Sequence, residues 1–171
     1  MTAGKPMTGS VPIEHFKAGM QRLLGGVTVV TTMSKTGERA GMTATAVSSL
    51  SASPPSLLVS ANTGTTFARI IEEGHPFCVN VLSADQVETA RIFGGMTDLT
   101  GEAKFRESDW DEDARGVPCL KEALVRFHCT VFQLMPVATH VIVAGLINEV
   151  HHASPAKSAL VYSAGRFLPV A

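Results

Sequence analysis

Residues 41–55 read GMTATAVSSLSASPP, and residues 56–62 continue as SLLVSAN. The first run is built from small and hydroxyl-bearing residues and predicts an extended segment, Pro54-Pro55 predicts a turn, and an apolar strand follows. Small side chains let a flat ring approach the backbone, and hydroxyls and free N–H groups can bond a polar ring edge or a phosphate. A Ser/Thr-rich edge strand that binds nothing has the same composition, so both interpretations stay open.

A threonine-rich turn follows this strand. Residues 62–66 read NTGTT, and Phe67, Ile70 and Ile71 then predict a short helix that begins near Thr65 or Thr66. The free N–H groups and the positive dipole end at a helix start suit an anion. Capping of the helix by a threonine hydroxyl is the alternative.

The composition predicts one folded domain over residues 10–171, preceded by a disordered lead over residues 1–9. Of the 171 residues, 45% are hydrophobic and 17% are charged, and the net charge is −1. This balance argues against a broad surface for nucleic acid or an anionic membrane. No run approaches the roughly 18 apolar residues of a membrane helix. Because no secretory signal is visible, we expect a cytoplasmic protein.

The three cysteines, Cys78, Cys119 and Cys129, are widely spaced and lie next to apolar residues. Without a C-x-x-C pair, this spacing predicts buried structural thiols rather than a zinc site or a redox dithiol. The acidic segment over residues 98–113 shows no ligand spacing either. It predicts a surface loop or lid anchored by Phe105 and Trp110, and we expect no metal site.

Hydrophobic periodicity predicts a mostly β chain with flanking helices. A helix is expected to start at Pro12, run through Leu24 and end at Gly25-Gly26. Two shorter helices are expected, one from Thr65 or Thr66 that closes at Gly74, and one that opens at a capping box of Ser83 and Gln86 and runs to Phe93. Strands are expected at residues 27–33, 39–50, 57–61, 77–82, 125–134, 140–150 and 159–163. Pro136 is expected to break the strand before it, and residues 159–163 are expected to be the last strand. Roughly six or more strands with two or three helices favour a closed, mostly antiparallel β-barrel.

His140 is the candidate catalytic residue. It stands at a junction of loop and strand, where a rigid scaffold commonly holds a side chain that faces a ligand. Its strand, residues 140–150, is apolar on both faces, which predicts burial in a barrel wall or against a partner subunit. The sequence has no G-x-G-x-x-G, P-loop, H-E-x-x-H or G-x-S-x-G motif.

The order and spacing of these segments resemble the flavin reductase domain family, whose fold is the FMN-binding split β-barrel, a Greek-key antiparallel barrel. The matching segments are GMTATAVSSLSASPP at 41–55, FCVNVL at 77–82, FGG at 93–95 and YSAGRF at 162–167. Each motif alone identifies the family with low specificity. Their order over roughly residues 12–169 is what makes the resemblance specific. In character the chain is similar to the short reductase components of two-component flavin-dependent monooxygenases.

This resemblance implies a homodimer that binds FMN or FAD near its interface and uses NADH or NADPH as co-substrate. The implied activity is that of an NAD(P)H:flavin oxidoreductase, in which hydride passes from the nicotinamide to the flavin. The implied partner is a flavin-dependent monooxygenase that receives reduced flavin. The alternative is a flavin- or haem-binding module that acts as a sensor or carrier without turnover. A pyridoxamine-phosphate-type oxidase is less favoured, because few basic phosphate ligands lie near residues 43–66.

The family's site maps onto this sequence residue by residue. The ring-contacting segment corresponds to Thr43, Ala44, Thr45, Ala46 and Val47. The hydroxyls on the phosphate side correspond to Ser48 and Ser49, and the second phosphate or ribityl segment to Ser60, Asn62, Thr65 and Thr66. The remaining cofactor-binding positions are Phe93, Gly94, Tyr162 and Arg166. A Gly-Asp-His segment that contacts the nicotinamide or the flavin corresponds to Ala138, Thr139 and His140.

Overall fold

The computed structural model describes residues 11–153 and 157–170, and the expected disordered lead over residues 1–9 lies outside them. These residues form antiparallel sheets with flanking helices, which confirms the mostly β prediction. The helices are α1 (Ile13–Met20), α2 (Thr66–Ile70) and α3 (Val87–Phe93), with a 3₁₀ turn over Gly101–Phe105. The strands are β1 (Gly25–Gly26), β2 (Thr28–Met33), β3 (Arg39–Ala44), β4 (Val47–Ala52), β5 (Pro55–Asn62), β6 (Pro76–Val81), β7 (Trp110–Glu112), β8 (Pro118–Leu120), β9 (Val125–Val137), β10 (His140–His152), β11 (Ala159–Ser163) and β12 (Arg166–Val170). No helix in this part of the chain has the length and apolar character that a membrane crossing requires.

Seven strands form one antiparallel sheet in the order β3-β2-β6-β9-β10-β5-β4. The strands at its two edges, β3 and β4, are consecutive in the chain and are separated only by Thr45 and Ala46. The N–H of Ser60 in β5 donates a 3.0 Å hydrogen bond to the carbonyl of Ala46. The sheet therefore curls until its edges meet at this connection. Two smaller sheets, β1-β11-β12 and β7-β8, complete the structure.

The prediction of a single strand over residues 39–50 is wrong. Strand β3 pairs with β2, whereas β4 pairs with β5. Since β2 and β5 lie near opposite edges of the sheet, one straight strand cannot pair with both. The strand is interrupted at Thr45 and Ala46, where the chain crosses from one edge of the sheet to the other. This interruption exposes the backbone of the two residues.

Pro136 does not end its strand, because β9 continues through it to Val137. Strand β6 pairs with β9 only between residues 125 and 130, so beyond this range β9 has β10 as its strand neighbour. A proline can lie in a strand wherever its missing N–H would face away from a partner. The length of the neighbouring strand therefore decides where β9 ends.

Both ends of the chain also differ from the prediction. Helix α1 ends at Met20, and Gly25–Gly26 form β1, which pairs with Val161 and Tyr162 of β11. Strand β11 is not the last strand, because β12 pairs with it after a turn at Ala164 and Gly165. Both turn residues have positive φ, 49° and 77°, which matches the twist of a tight hairpin.

Apolar clusters cover both faces of the large sheet. Alternation in β2 sends Val30 to a cluster with Phe77 and Val143, and Val29 to a second cluster with α3 and the 3₁₀ turn. In the second cluster Phe93, Phe105 and Trp110 pack edge to face, with ring centroids 5.0–5.3 Å apart. The expected anchors of the acidic segment are thus confirmed.

The cysteines are buried free thiols, as the sequence predicts. Burial raises the pKa of the Cys129 thiol to about 12. Strand β10 is buried on both faces only in its first half, where β5 and β9 flank it. Beyond Leu146 its pairing with β5 ends and the residues from Asn148 to Val150 are exposed in the single chain, so burial of the second half against a partner subunit stays a prediction.

Candidate functional site

A cleft of about 530 Å³ opens where the connection between β3 and β4 meets α1 and the small sheet. Thr45 and Ala46 from this connection, Gly25 from β1 and Tyr162 from β11 line one part of it. The other part is mostly apolar and comes from α1 and the residues after it, namely Phe16, Lys17, Met20, Gln21, Leu23 and Leu24. The cleft thus combines exposed backbone with a mostly apolar wall, a combination typical of small-molecule sites.

Hydrogen bonds fix the backbone just before Thr45 and Ala46, while these two residues themselves are exposed. The hydroxyl of Thr28 donates to the carbonyl of Ala44 at 2.8 Å, and the hydroxyl of Thr43 donates to the carbonyl of Ala90 at 2.7 Å. Thr45 and Ala46 are exposed, and their N–H groups find no protein acceptor within the described chain. These two free donors can therefore bond the polar edge of a ring.

Glycine is required at position 25 because the chain approaches itself closely there. A Cβ at Gly25 would lie 2.8 Å from Cβ of Thr45, which is closer than carbon atoms of neighbouring side chains can pack. The side chain of Thr45 therefore packs directly against the backbone of β1 at this point. This close approach joins the connection between β3 and β4 to the small sheet at the edge of the cleft.

A second group of predicted residues meets where β5 ends. Asn62 lies opposite His140 in the register of β5 and β10, and the N–H of Thr63 donates to the carbonyl of Thr139 at 3.0 Å. The hydroxyl of Thr65 accepts from the N–H of Ala68 at 3.1 Å. Thr65 thus caps α2, which was the alternative left open by the sequence.

His140 is half-buried at the first position of β10, directly after the turn Ala138-Thr139. Its Nδ1 lies 3.0 Å from the hydroxyl oxygen of Thr139. That contact orients the ring and leaves Nε2 as the nitrogen available to a ligand. Ala138 has φ 50°, a backbone conformation that favours the glycine found at this position in the family pattern.

The other predicted residues lie in three different places. Ser48 and Ser49 are exposed along the edge strand β4, outside the residues that line the cleft. Phe93 is buried behind β3, where a Cβ at Gly41 would lie 2.8 Å from its ring, while Gly94 is exposed after α3. Phe93 therefore supports the site from behind without facing the cleft.

Tyr162 joins two neighbouring clefts. Besides the 530 Å³ cleft, it lines a second one of about 390 Å³ together with Arg91, Met96 and Arg166. The structure thus brings Thr45, Ala46 and Tyr162 together. The N–H of Ser60 donates to the carbonyl of Ala46. Asn62, two residues further along β5, lies opposite His140 in β10.

The wall formed by α1 is what the sequence interpretation missed. The helical spacing of its apolar residues predicts the helix but not that its apolar face borders a cleft. None of the residues of α1 is buried, and the exposed fractions of Phe16 in the helix and of Leu24 after it are 55% and 65%. An amphipathic helix whose apolar face is left uncovered among the described residues is the available signal.

Both arginines that lie near residues 43–66 in sequence are already engaged. Arg39 pairs with Glu102 and stacks 4.7 Å from the ring centroid of Phe105. Arg69 donates to the carbonyl of Gly64 at 3.1 Å and to the hydroxyl of Thr66 at 3.0 Å. On the wall of the 530 Å³ cleft, the basic residue is Lys17.

Comparison with known proteins gives one consistent result. The model of the flavin reductase like domain matches residues 20–171. FMN reductase (NADH) RutF of Escherichia coli O157:H7 (strain EC4115 / EHEC) is 39% identical over 143 residues, which cover 83% of this chain and 85% of that protein. The NADH:FAD oxidoreductase SgcE6 of Streptomyces globisporus C-1027, solved in complex with NAD and FAD fragments, has a TM-score of 0.83 at 27% identity and 98% coverage of both chains. BorF, the flavin reductase component of a bacterial two-component tryptophan halogenase, has a TM-score of 0.82 at 27% identity over 93% of this chain and 98% of its own. With a family model that matches nearly the whole chain and a relative at 39% identity, the protein belongs to the flavin reductase like domain family.

Proposed function

We propose that this protein is an NADH:flavin oxidoreductase that prefers FMN and supplies reduced flavin to a separate monooxygenase. The observation that carries the proposal is the pair of free backbone N–H groups at Thr45 and Ala46, which lies in a cleft with an apolar wall. The preference for NADH and FMN rests on the relative named FMN reductase (NADH), at 39% identity. A partner oxygenase is inferred from relatives such as BorF, whose name describes it as one component of a two-component halogenase.

The residues around the cleft fit a planar, partly polar cofactor. Thr45 and Ala46 offer N–H donors for the polar edge of the ring, and Gly25 lets the Thr45 side chain pack against β1. Tyr162 and Phe16 supply apolar surface beside it. When bound, the flavin supplies the hydride chemistry, and the protein orients and stabilises it. Donors that are held in place before binding stabilise negative charge at a ring edge without reorganisation.

His140 has a positioning role in this proposal. Its ring is oriented by Thr139 at Nδ1, so Nε2 is the donor or acceptor that can orient the nicotinamide. It lies opposite Asn62 at the end of β5, two residues along that strand from Ser60, whose N–H bonds to the carbonyl of Ala46, and it is outside the residues that line the 530 Å³ cleft. No proton needs to be transferred by the protein for hydride to move, so orientation is the function that remains for this side chain.

We also infer that the curled sheet is a split barrel and that two copies of the chain form a homodimer through α1. A helix whose residues all remain exposed is stabilised mainly by a partner that covers its apolar face. Leu50 on the edge strand β4 is 48% exposed and adds to the uncovered apolar surface. In a dimer these residues would be buried, and the cleft beside α1 would lie close to the interface.

Weak binding of the flavin phosphate agrees with a reductase that releases its product. Arg39 and Arg69 are held by Glu102 and by the turn around Gly64, so neither is free to pair with a phosphate. Flavin would then exchange between turnovers and act as a substrate. Such exchange is what transfer to a separate oxygenase requires.

Steady-state turnover tests the proposal directly. The purified protein is mixed under air with NADH or NADPH and with FMN or FAD in turn, and the loss of nicotinamide absorbance is followed. We expect the highest kcat/KM for the pair NADH and FMN. Tight binding of coloured flavin without oxidation of either nicotinamide would contradict the enzyme and favour a carrier or sensor.

A further inference from the structure

Two thiols and an imidazole converge on the face of the large sheet that is opposite Phe77 and Val79. Cys78 in β6, Cys119 in β8 and His128 in β9 are all buried, and one ligand atom from each lies within 4.8 Å of the others. Nδ1 of His128 is 3.8 Å from Sγ of Cys119 and 3.4 Å from Oδ2 of Asp113. Three groups of the kind that bind transition metals thus surround one point, and the Asp113 carboxylate lies beside the imidazole.

The separations are within reach of a single zinc ion. With zinc–sulfur bonds near 2.3 Å and zinc–nitrogen bonds near 2.0 Å, tetrahedral angles place sulfur about 3.8 Å from sulfur and about 3.5 Å from nitrogen. The three ligand atoms lie within 4.8 Å of one another, so small side-chain shifts bring them to these distances. Thiolate and imidazole ligands in such a tetrahedron favour zinc over magnesium or calcium.

The backbone holds the three elements in this arrangement. Cys78 and His128 are direct neighbours in the register of β6 and β9, so their side chains share one face of the sheet. Strand β8 is fastened above them by two hydrogen bonds. The hydroxyl of Thr31 donates to the carbonyl of Pro118 at 2.5 Å, and the N–H of Leu120 donates to Oδ1 of Asn80 at 2.8 Å.

The hydrogen bonding around His128 leaves Nε2 available to bind a metal. Nε2 is buried and has no hydrogen-bond partner within residues 11–153 and 157–170. Asp113 is held in place by the N–H groups of Arg115 and Val117, which donate to Oδ1 at 2.8 and 3.0 Å. Its Oδ2 faces Nδ1 of His128 and also accepts from the Arg115 guanidinium. Asp113 would thus orient the imidazole from Nδ1, as carboxylates beside metal-binding histidines commonly do.

We propose that Cys78, Cys119 and His128 bind one zinc ion, with Asp113 orienting the imidazole. A cleft of about 350 Å³ reaches Cys119 and His128 from the surface and provides the entry path. Four carboxylates line it, from Asp111, Glu112, Asp113 and Glu149, and Arg126 is the basic residue among its lining. The excess of negative charge attracts a divalent cation.

The zinc ion would have a structural role. Its ligands come from β6 and β9 of the large sheet and from β8. Bound metal would therefore fasten the β7-β8 sheet to the large sheet and stabilise the segment that carries Phe105 and Trp110. The fourth position of the tetrahedron would be taken by water that enters through the cleft.

Metal content and thermal stability test the proposal without reference to flavin reduction. The reduced full-length protein is incubated with zinc, freed of excess by gel filtration and analysed for zinc by atomic emission. We expect about one zinc per chain for the wild type and close to none for Cys119→Ser and His128→Gln. A chelator should lower the Tm of the zinc-loaded wild type by several degrees and leave the Tm of Cys119→Ser unchanged.

Cys129→Ala is the matched control, because Cys129 is also a buried thiol but belongs to the cluster on the other face of the sheet. It should retain full zinc content. Cobalt substitution of the wild type should add a thiolate-to-metal charge-transfer band, a readout that stands even if a variant fails to fold. A wild type without stoichiometric zinc, equal zinc in Cys119→Ser and Cys129→Ala, or a Cys78–Cys119 disulfide in the purified protein would each overturn the proposal.

Discussion

Thr45 and Ala46 act mainly through their backbone, not through reactive side chains. Their N–H groups are free because β3 ends before them and β4 begins after them. Gly25 lets the side chain of Thr45 pack against the backbone of β1. At the scale of single residues, the proposed flavin site therefore depends on small side chains that leave backbone accessible.

Thr45→Leu should raise the KM for flavin about tenfold, a loss of about 1.4 kcal/mol of binding free energy. The larger side chain would fill the cleft beside Gly25 and block the approach of a planar ring. Steady-state kinetics with varied flavin concentration measure the effect. Thr36→Leu, an exposed threonine in the β2–β3 turn, is the control and should change nothing. An unchanged KM in Thr45→Leu would contradict the assignment of the cleft.

His140→Ala should impair the use of NADH more than the binding of flavin. We expect kcat/KM for NADH to fall about tenfold because the nicotinamide loses its orientation, while the KM for flavin changes less than about threefold. His152→Ala, at the exposed far end of the same strand, is the control. Equal losses for both substrates would remove the positioning role.

The hairpin of β9 and β10 shows what is decided at the scale of elements. Its turn places Ala138 at φ 50°, and the same turn sets the position of Thr139 and His140. An alanine in the left-handed region is strained relative to glycine, because its Cβ approaches the backbone carbonyl. The hairpin thus tolerates a small conformational strain energy at Ala138, two residues before His140, the candidate catalytic residue.

Ala138→Gly should stabilise the protein by about 0.5–1 kcal/mol, since glycine adopts positive φ without strain. Urea unfolding should show a higher midpoint at an unchanged slope. Ala52→Gly, at an exposed position of extended strand β4, is the matched control and should destabilise by a similar amount. Equal effects of the two substitutions would show that the turn at Ala138 carries no strain.

The arrangement of the whole molecule leaves apolar surface uncovered on α1. Ile13, Phe16, Met20, Leu23 and Leu24 expose 49–65% of their surface. An apolar face of this size is typical of an interface with another protein. In the proposed homodimer it would be covered, and the cleft that it borders would gain part of its enclosure from the partner subunit.

Phe16→Glu should weaken the proposed dimer, because it introduces a charge into the centre of the apolar face. We expect the dissociation constant of the dimer, measured by sedimentation, to rise at least about tenfold, with a parallel rise in the KM for flavin. His15→Glu lies on the opposite face of α1 by helical spacing and is the control. A wild type that sediments as a monomer at assay concentrations would contradict the interface.

Much of the fold followed from local patterns. Alternation and helical spacing located most of the strands and helices, since these periods depend only on neighbours in the chain. The break at Thr45, the continuation of β9 through Pro136 and the return of β12 were not predictable in this way. Each depends on which strand lies alongside and how far it extends, which is a property of the assembled sheet.

The sequence by itself determined the family of this protein and the small-residue segment around Thr45 that points to a planar ligand. Order and spacing along the chain carry that information. Only the tertiary structure decided that Cys78, Cys119 and His128 meet, and that α1 forms a wall of the cleft. Sequence separation does not constrain distance between strands, because register and pairing order set which distant residues become neighbours.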